Sequence, residues 1–268
     1  MTLFNRTTLG MALALALSPL ALSQLAHAAD TPAAALPAAR SLIDAHIAAV
    51  GGAEAYAKSN DGTAKVQMEI VENGMKLEMT MYGRGSDRAS LMAIPGAGDF
   101  RNGYSGGVAW SMDPMNGPRL LEGKERDQMI EQSEPKITLR DASLIASANT
   151  TALSESEGRP CYRVEIKWTS GRETADCYST EDGLLLSTES VIVSPMGDMK
   201  QVSHMSDYKS FGAVKIPAKI KGKAAGMTQL ITIQSVDPMA PASEVFALPV
   251  AIEALVKKST PATSTQAN

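Results

Sequence analysis

The sequence predicts a mainly β fold, a meandering antiparallel sheet whose apolar face is covered by two or three helices. Three observations carry this. Between Thr63 and Pro95, apolar residues recur at every second position, the mark of strands with one buried and one wetted face. Similar runs return at regular intervals to about Val236, separated by Gly, Asn, Asp, Pro and Ser clusters that read as hairpin turns. Helical spacing is confined to a few short segments.

In chain order, Met1–Ala29 reads as a leader. One basic residue, Arg6, precedes an apolar run from Leu9 to Leu22 and the small-residue pattern Ala26-His27-Ala28. That is the layout of a secretory signal peptide cut after Ala28 or Ala29, and the run is short of the roughly 20 residues that span a bilayer. The expectation is an exported, periplasmic protein with no membrane segment in the mature chain. Residues 30–37 are Ala/Pro-rich and read as a flexible lead-in, 38–256 as one domain, and 257–268 as a polar, disordered tail. Without the leader the charge is 24 Lys+Arg against 29 Asp+Glu, a net of −5. Nucleic acid is thereby disfavoured, since phosphate binding needs a basic stripe.

Ala38–Val50 predicts an amphipathic helix, with Leu42, Ile43, His46, Ile47 and Val50 on one face and Gly51-Gly52 to end it; a short continuation through Ala53–Ser59 follows. His46, on the apolar face, reads as a core histidine. In the strands, Val66, Met68 and Ile70 alternate with Lys65, Gln67 and Glu69, and Met75, Leu77, Met79 and Met81 with Lys76, Glu78 and Thr80, with Asn73-Gly74 as the hairpin signal between them. This apolar face is rich in methionine, which suits either an ordinary core or a wall that re-packs around a greasy ligand. The mature chain keeps 13 methionines and three phenylalanines.

The glycine-rich passage after Pro95 matches no phosphate-loop spacing and reads as turns around short strands, with Val108, Trp110 and Met112 pointing inward. Pro118–Glu134 is a charged, helix-like insertion with few apolar residues, Leu120, Leu121, Met129 and Ile130; it reads as a connecting helix or as a lid over a cavity. Cys161 and Cys177, the only cysteines, lie in adjacent alternating runs joined by Thr169-Ser170-Gly171, close to opposite one another across a hairpin. In an exported chain they predict a disulfide. Strands at Leu184–Val193, Met199–Tyr208, Val214–Lys221 and Met227–Val236 and a helix at Pro249–Lys258 complete the reading.

Catalytic signatures are thin. Only His46 and His204 remain after the leader, no GxSxG or HExxH occurs, and Ser203 and Asp207 beside His204 point to alternating faces. No metal site and no cofactor are implied.

The helix ending in AVGG, the long alternating strands, GYSGGVAWSMDP, SDYKSFGAVKIPAKI and DPMAPASEVFALP together resemble the LolA-like group of exported bacterial proteins, lipoprotein-sorting carriers and related lipid carriers. The resemblance covers most of the mature chain through turn and core residues, and transfers no functional residue. It implies an incomplete, strongly curved antiparallel β-barrel with helices covering the concave face and a hydrophobic cavity between. The expected cavity wall is Met68, Ile70, Leu77, Met79, Met81, Leu91, Trp110, Val164, Ile166 and Trp168. The implied partners are a lipid, an acyl chain or a lipidated protein, and envelope membrane proteins. The alternatives are a non-catalytic interaction module of an envelope complex and, further off, a hydrolase.

Overall fold

The computed structural model describes residues 35–194 and 197–259, so the predicted leader and most of the predicted tail lie outside the described residues. Among the described residues thirteen strands form two runs of antiparallel hairpins, broken between β6 and β7: β1 (Gly62–Ile70), β2 (Met75–Arg84), β3 (Asp87–Ile94), β4 (Gly98–Ser105), β5 (Val108–Asp113), β6 (Gly117–Leu120), β7 (Ile145–Ser156), β8 (Arg159–Trp168), β9 (Glu173–Ser179), β10 (Leu185–Ile192), β11 (Met199–Phe211), β12 (Val214–Ala224) and β13 (Met227–Asp237). Four α-helices accompany them among the described residues: α1 (Ala39–Ala49), α2 (Ala53–Lys58), α3 (Gly123–Ser133) and α4 (Val250–Ser259). The strands form one sheet in the order β6-β5-β4-β3-β2-β1-β13-β12-β11-β10-β9-β8-β7. β13 returns to pair with β1, joining two meanders, while among the described residues β6 and β7 stay unpaired on their outer sides: the sheet is strongly curled and not closed into a barrel.

Helix α3 identifies the concave face. It packs on β4 and β5, and its Gln128 and Glu131 are hydrogen-bonded to β10 and to the β8–β9 turn. In a flat sheet β5 and β10 would stand eight spacings apart, about 38 Å. An 11-residue helix is only about 16 Å long. The sheet therefore curls around α3, and the face that α3 crosses is concave.

The register runs apolar rows across that face. Met205, Ile220, Ile231, Met68 and Leu77 stand side by side on β11, β12, β13, β1 and β2. Ile233, Val66, Met79, Met92 and Phe100 form the next row, on β13 and β1 to β4. Over β7–β10 the same face is filled by α1: Ala39 and Ile43 pack against Val164, Ile166, Trp168, Tyr178 and Leu185 in one buried cluster. Gly51 (φ 118°) ends α1 where a Cβ would stand 2.5 Å from the Ala213 carbonyl, and the Lys215 amide donates to Val50 O at 2.9 Å. The chain leaving α1 is thereby seated on the β11–β12 hairpin, in a conformation that side chains other than glycine rarely adopt.

Several expectations are corrected in detail. The β1–β2 connection has four residues, Val71–Gly74, rather than a two-residue Asn-Gly turn, because Ile70 pairs with Met75. Pro118–Glu134 is not one helix. Its first residues form the edge strand β6, since Arg119 and Leu120 continue the alternation of β5 and pair with it, and only 123–133 are helical. Cys161 and Cys177 are bonded (Cα–Cα 5.5 Å) but diagonal, since Cys161 faces Ser179 and Arg163 faces Cys177. Both sulfurs lie on one face, so the offset of two residues is bridged. The last helix extends through Ser259. Not all helical segments cover the concave face: a 3₁₀ turn at Ser243–Phe246 packs on β3 and β4 from the opposite, convex side, and α4 follows on β6.

Candidate apolar trough on the concave face

The ten residues expected to line a cavity fall into three groups. Val164, Ile166 and Trp168 are 0%, 1% and 4% exposed, in the part of the concave face that α1 fills. Met68, Ile70, Leu77, Met79 and Met81 lie on the concave face away from α1, their side chains shared between β1 and β2. Leu91 and Trp110 lie on the convex face. Leu91 pairs with Thr80 and Arg101, and Trp110 with Gly103, one register position out of phase with Met79–Met92–Phe100. A period of two shows which residues share a strand face, but which of two faces an alternating run turns inward is decided by pairing to its neighbours.

The middle group forms a trough that the described residues leave partly open. Val66 and Leu77 are buried, Met68, Ile70, Met79 and Met92 half-buried, and Met75 and Met81 exposed to 41% and 46%. Met227, whose partner is Ala224 on β12, continues the exposed apolar surface along β13. The polar alternates Lys65, Gln67, Glu69, Lys76 and Glu78 point to the convex face, where Gln67 bonds Glu78 at 2.9 Å and Lys76 pairs with Glu69 at 3.8 Å. The trough is thus a surface of methionine and branched aliphatic side chains.

Of the expected lid residues, Leu120 is in β6 opposite Trp110, and Leu121, 7% exposed, donates its amide to Ala109 O at 2.9 Å. Met129 and Ile130 are on α3, with Ile130 38% exposed. Ser133 is the one buried residue of α3. The helix is held largely by polar contacts. Gln128 donates Nε2 to Val191 O at 2.8 Å and accepts from the Val193 amide at 3.1 Å. Glu131 receives Arg172 at 2.7 Å and the Ser170 hydroxyl at 2.9 Å, and Lys124 reaches Asp198 at 3.0 Å. These hold α3 across the concave face by groups that water can replace.

Beyond α3 the chain enters the core through Arg140. Its Nε donates to Asp176, which also accepts from the Thr188 and Tyr178 hydroxyls. Burial works to raise the Asp176 carboxyl, and the adjacent guanidinium outweighs it, so the carboxyl is held below the usual carboxylate range. His46 is a satisfied core residue. Its Nδ1 accepts from the Leu185 amide at 3.2 Å, and burial, with the Arg140 charge, lowers its pKa to about 4.

Ser156 belongs to no motif in the sequence. Its hydroxyl lies 2.9 Å from His204 Nδ1, and Glu157 beside it pairs with Lys221, so the tip of the β7–β8 hairpin is pinned to β11 and β12. Ser156 is 5% exposed, and no carboxylate holds the other ring nitrogen of His204 among the described residues. Nor do the described residues contain a group of three or more metal-ligating side chains, or a helix long and apolar enough to cross a membrane.

No protein-family model matches the chain, and no curated protein matches it in sequence. Solved structures do. A LolA superfamily protein of Nitrosomonas europaea aligns with a TM-score of 0.52 at 10% identity, over 80% of this chain and 99% of its own. A DUF1329 family protein from Desulfovibrio piger aligns with a TM-score of 0.54 at 13% identity, over 81% of this chain and all of its own. At such identities the likeness is one of fold, and the fold of this chain is LolA-like.

Proposed function

We propose that the protein holds an acyl chain, free, in a lipid or attached to a protein, in the concave trough and carries it through the periplasm, without catalysis and without a cofactor. The observation that carries this reading is the pair of exposed methionines, Met75 and Met81, in a trough whose neighbours Val66 and Leu77 are buried. An apolar surface of this kind left open in a folded domain points to a ligand. Methionine suits a chain of varied length and unsaturation, because its side chain re-packs at low cost. Each methylene buried there contributes about 0.8 kcal/mol. The helix α3 serves as the lid, its polar contacts exchanging with water as the chain enters. The fold shared with a LolA superfamily protein agrees with a carrier, and the predicted leader with export.

A titration with a fluorescent fatty acid tests the reading. Saturable binding that Met81→Glu removes and Leu153→Glu, on the exposed edge strand β7, leaves intact is the expected result. Equal binding by all three proteins, or by none, contradicts it.

A second reading, an interaction module of an envelope complex, rests on β7. It is a 12-residue edge strand with no partner on its outer side among the described residues, and Leu153 is 63% exposed on it. Such edges accept a further strand from a partner. Its two register shifts, after Ile145 and after Thr150, shorten the stretch that could pair and favour the carrier reading.

A further inference from the structure

The convex face carries a second apolar recess, separate from the trough. Across β2–β5 one register row reads Tyr82, Ala89, Gly103 and Trp110, two small residues between two aromatic ones. A Cβ on Gly103 would stand 3.0 Å from Cζ2 and 3.1 Å from Cε2 of Trp110. The indole therefore lies against the bare backbone of β4. Between it and the Tyr82 ring, only the Ala89 methyl covers the sheet. The segment 244–249 crosses above, anchored by Phe246, which is 5% exposed and lies under the Arg84 guanidinium at 5.3 Å. A cleft of about 320 Å³ remains between strap and sheet, bordered also by Leu91 and Arg101. Its size is at the lower end of small-molecule sites.

The charges at its rim limit what fits. The exposed Arg101 side chain makes no hydrogen bond or ion pair among the described residues, so its guanidinium is available to an anion at the mouth. Glu244 borders the same cleft and repels a second negative charge. We infer that this cleft binds an aromatic monocarboxylate, with the ring between Tyr82 and Trp110 over Ala89 and the carboxylate on Arg101. A flat ring matches the aromatic walls. A dicarboxylate or phosphate is disfavoured by Glu244, and a long alkyl chain by the volume.

Calorimetric titration of the full chain with 2-naphthoate, and with the isosteric neutral naphthalene-2-carboxamide, tests this. Naphthoate is expected to bind at one site, with the carboxamide about tenfold weaker or more, as for loss of a charge-assisted hydrogen bond. Arg101→Gln, an exposed substitution, should bring naphthoate down to the carboxamide's affinity. Ala89→Leu should fill the floor and abolish binding of both, its fold checked by circular dichroism. Absence of naphthoate binding at millimolar concentration overturns the inference. So do equal affinities for the two probes, binding unaffected by Arg101→Gln, or full binding by a folded Ala89→Leu.

Discussion

Glu131 on α3 receives the Arg172 guanidinium at 2.7 Å, tying the helix that crosses the concave face to the turn between β8 and β9. Arg172 also lies over the Trp168 ring at 4.8 Å, so the anchor on the sheet side is fixed by packing while the helix side is held by charge. Both partners are partly shielded from water, with side-chain exposures of 23% and 13%. Glu131→Gln combined with Gln128→Ala should therefore loosen α3 without disturbing the sheet. Amide exchange across 123–133 is expected to speed up about tenfold or more, in line with losing hydrogen bonds of about 1–2 kcal/mol in all. Unchanged exchange in α3 would show that other contacts hold it.

Buried and exposed positions of the trough are expected to respond differently to substitution. Leu77→Glu places a charge where the side chain is 5% exposed and should cost several kcal/mol, seen as a large fall in Tm. Met81→Glu, at 46% exposed, should cost about 0.5 kcal/mol or less and yet remove acyl binding. Equal destabilisation by the two would mean that Met81 belongs to the core.

His46 sets a pH window. Its folded pKa of about 4 lies below the unfolded 6.5, so between these values the unfolded chain binds the extra proton. Its contribution to stability is complete above pH 6.5 and is lost as the pH falls towards 4. The loss amounts to about 3 kcal/mol over that interval, at roughly 1.4 kcal/mol per unit. The carboxyl of Asp176, held low in the fold, adds a further loss at still lower pH. His46→Gln, which keeps an acceptor for the Leu185 amide, should flatten the dependence between pH 4 and 6.5 in urea titrations. A slope that stays unchanged would assign the window to other groups.

The Cys161–Cys177 bond closes a loop with a sequence separation of 16. On the chain-entropy estimate it contributes about 3 kcal/mol. Both cysteines are buried with Leu186 in a small cluster, so Cys161→Ala with Cys177→Ala also loses packing. The double variant should melt about 10 °C or more below the parent. A shift of only a degree or two would mean that the reduced hairpin is already held by its neighbours.

Most of the sheet is legible in the sequence, because most strands keep a period of two and most turns carry glycine. Strands β10 to β13 fall within three residues of their expected bounds at both ends, and α1 within one. The failures share a cause. Trp110 and Leu91 alternate as well as Met79 does, yet their register places them on the convex face under the 244–249 strap, a partner far away in the sequence. Arg119 and Leu120 look like the start of a charged helix until β5 supplies a strand to pair with. The contact of Ser156 with His204 joins strands separated by 48 residues, with no motif to announce it. Periodicity reports the local geometry of an element, and long-range pairing decides which faces meet.

The proposed role of the trough is to hold an acyl chain. The first measurement is native mass spectrometry of the full chain, expressed with residues 1–29 in place and recovered from the periplasm, followed by solvent extraction and identification of bound material. An adduct of one acyl-bearing molecule per chain, lost in Met81→Glu, is the expected result. A mass without adduct, together with no binding of a fluorescent fatty acid, would contradict it.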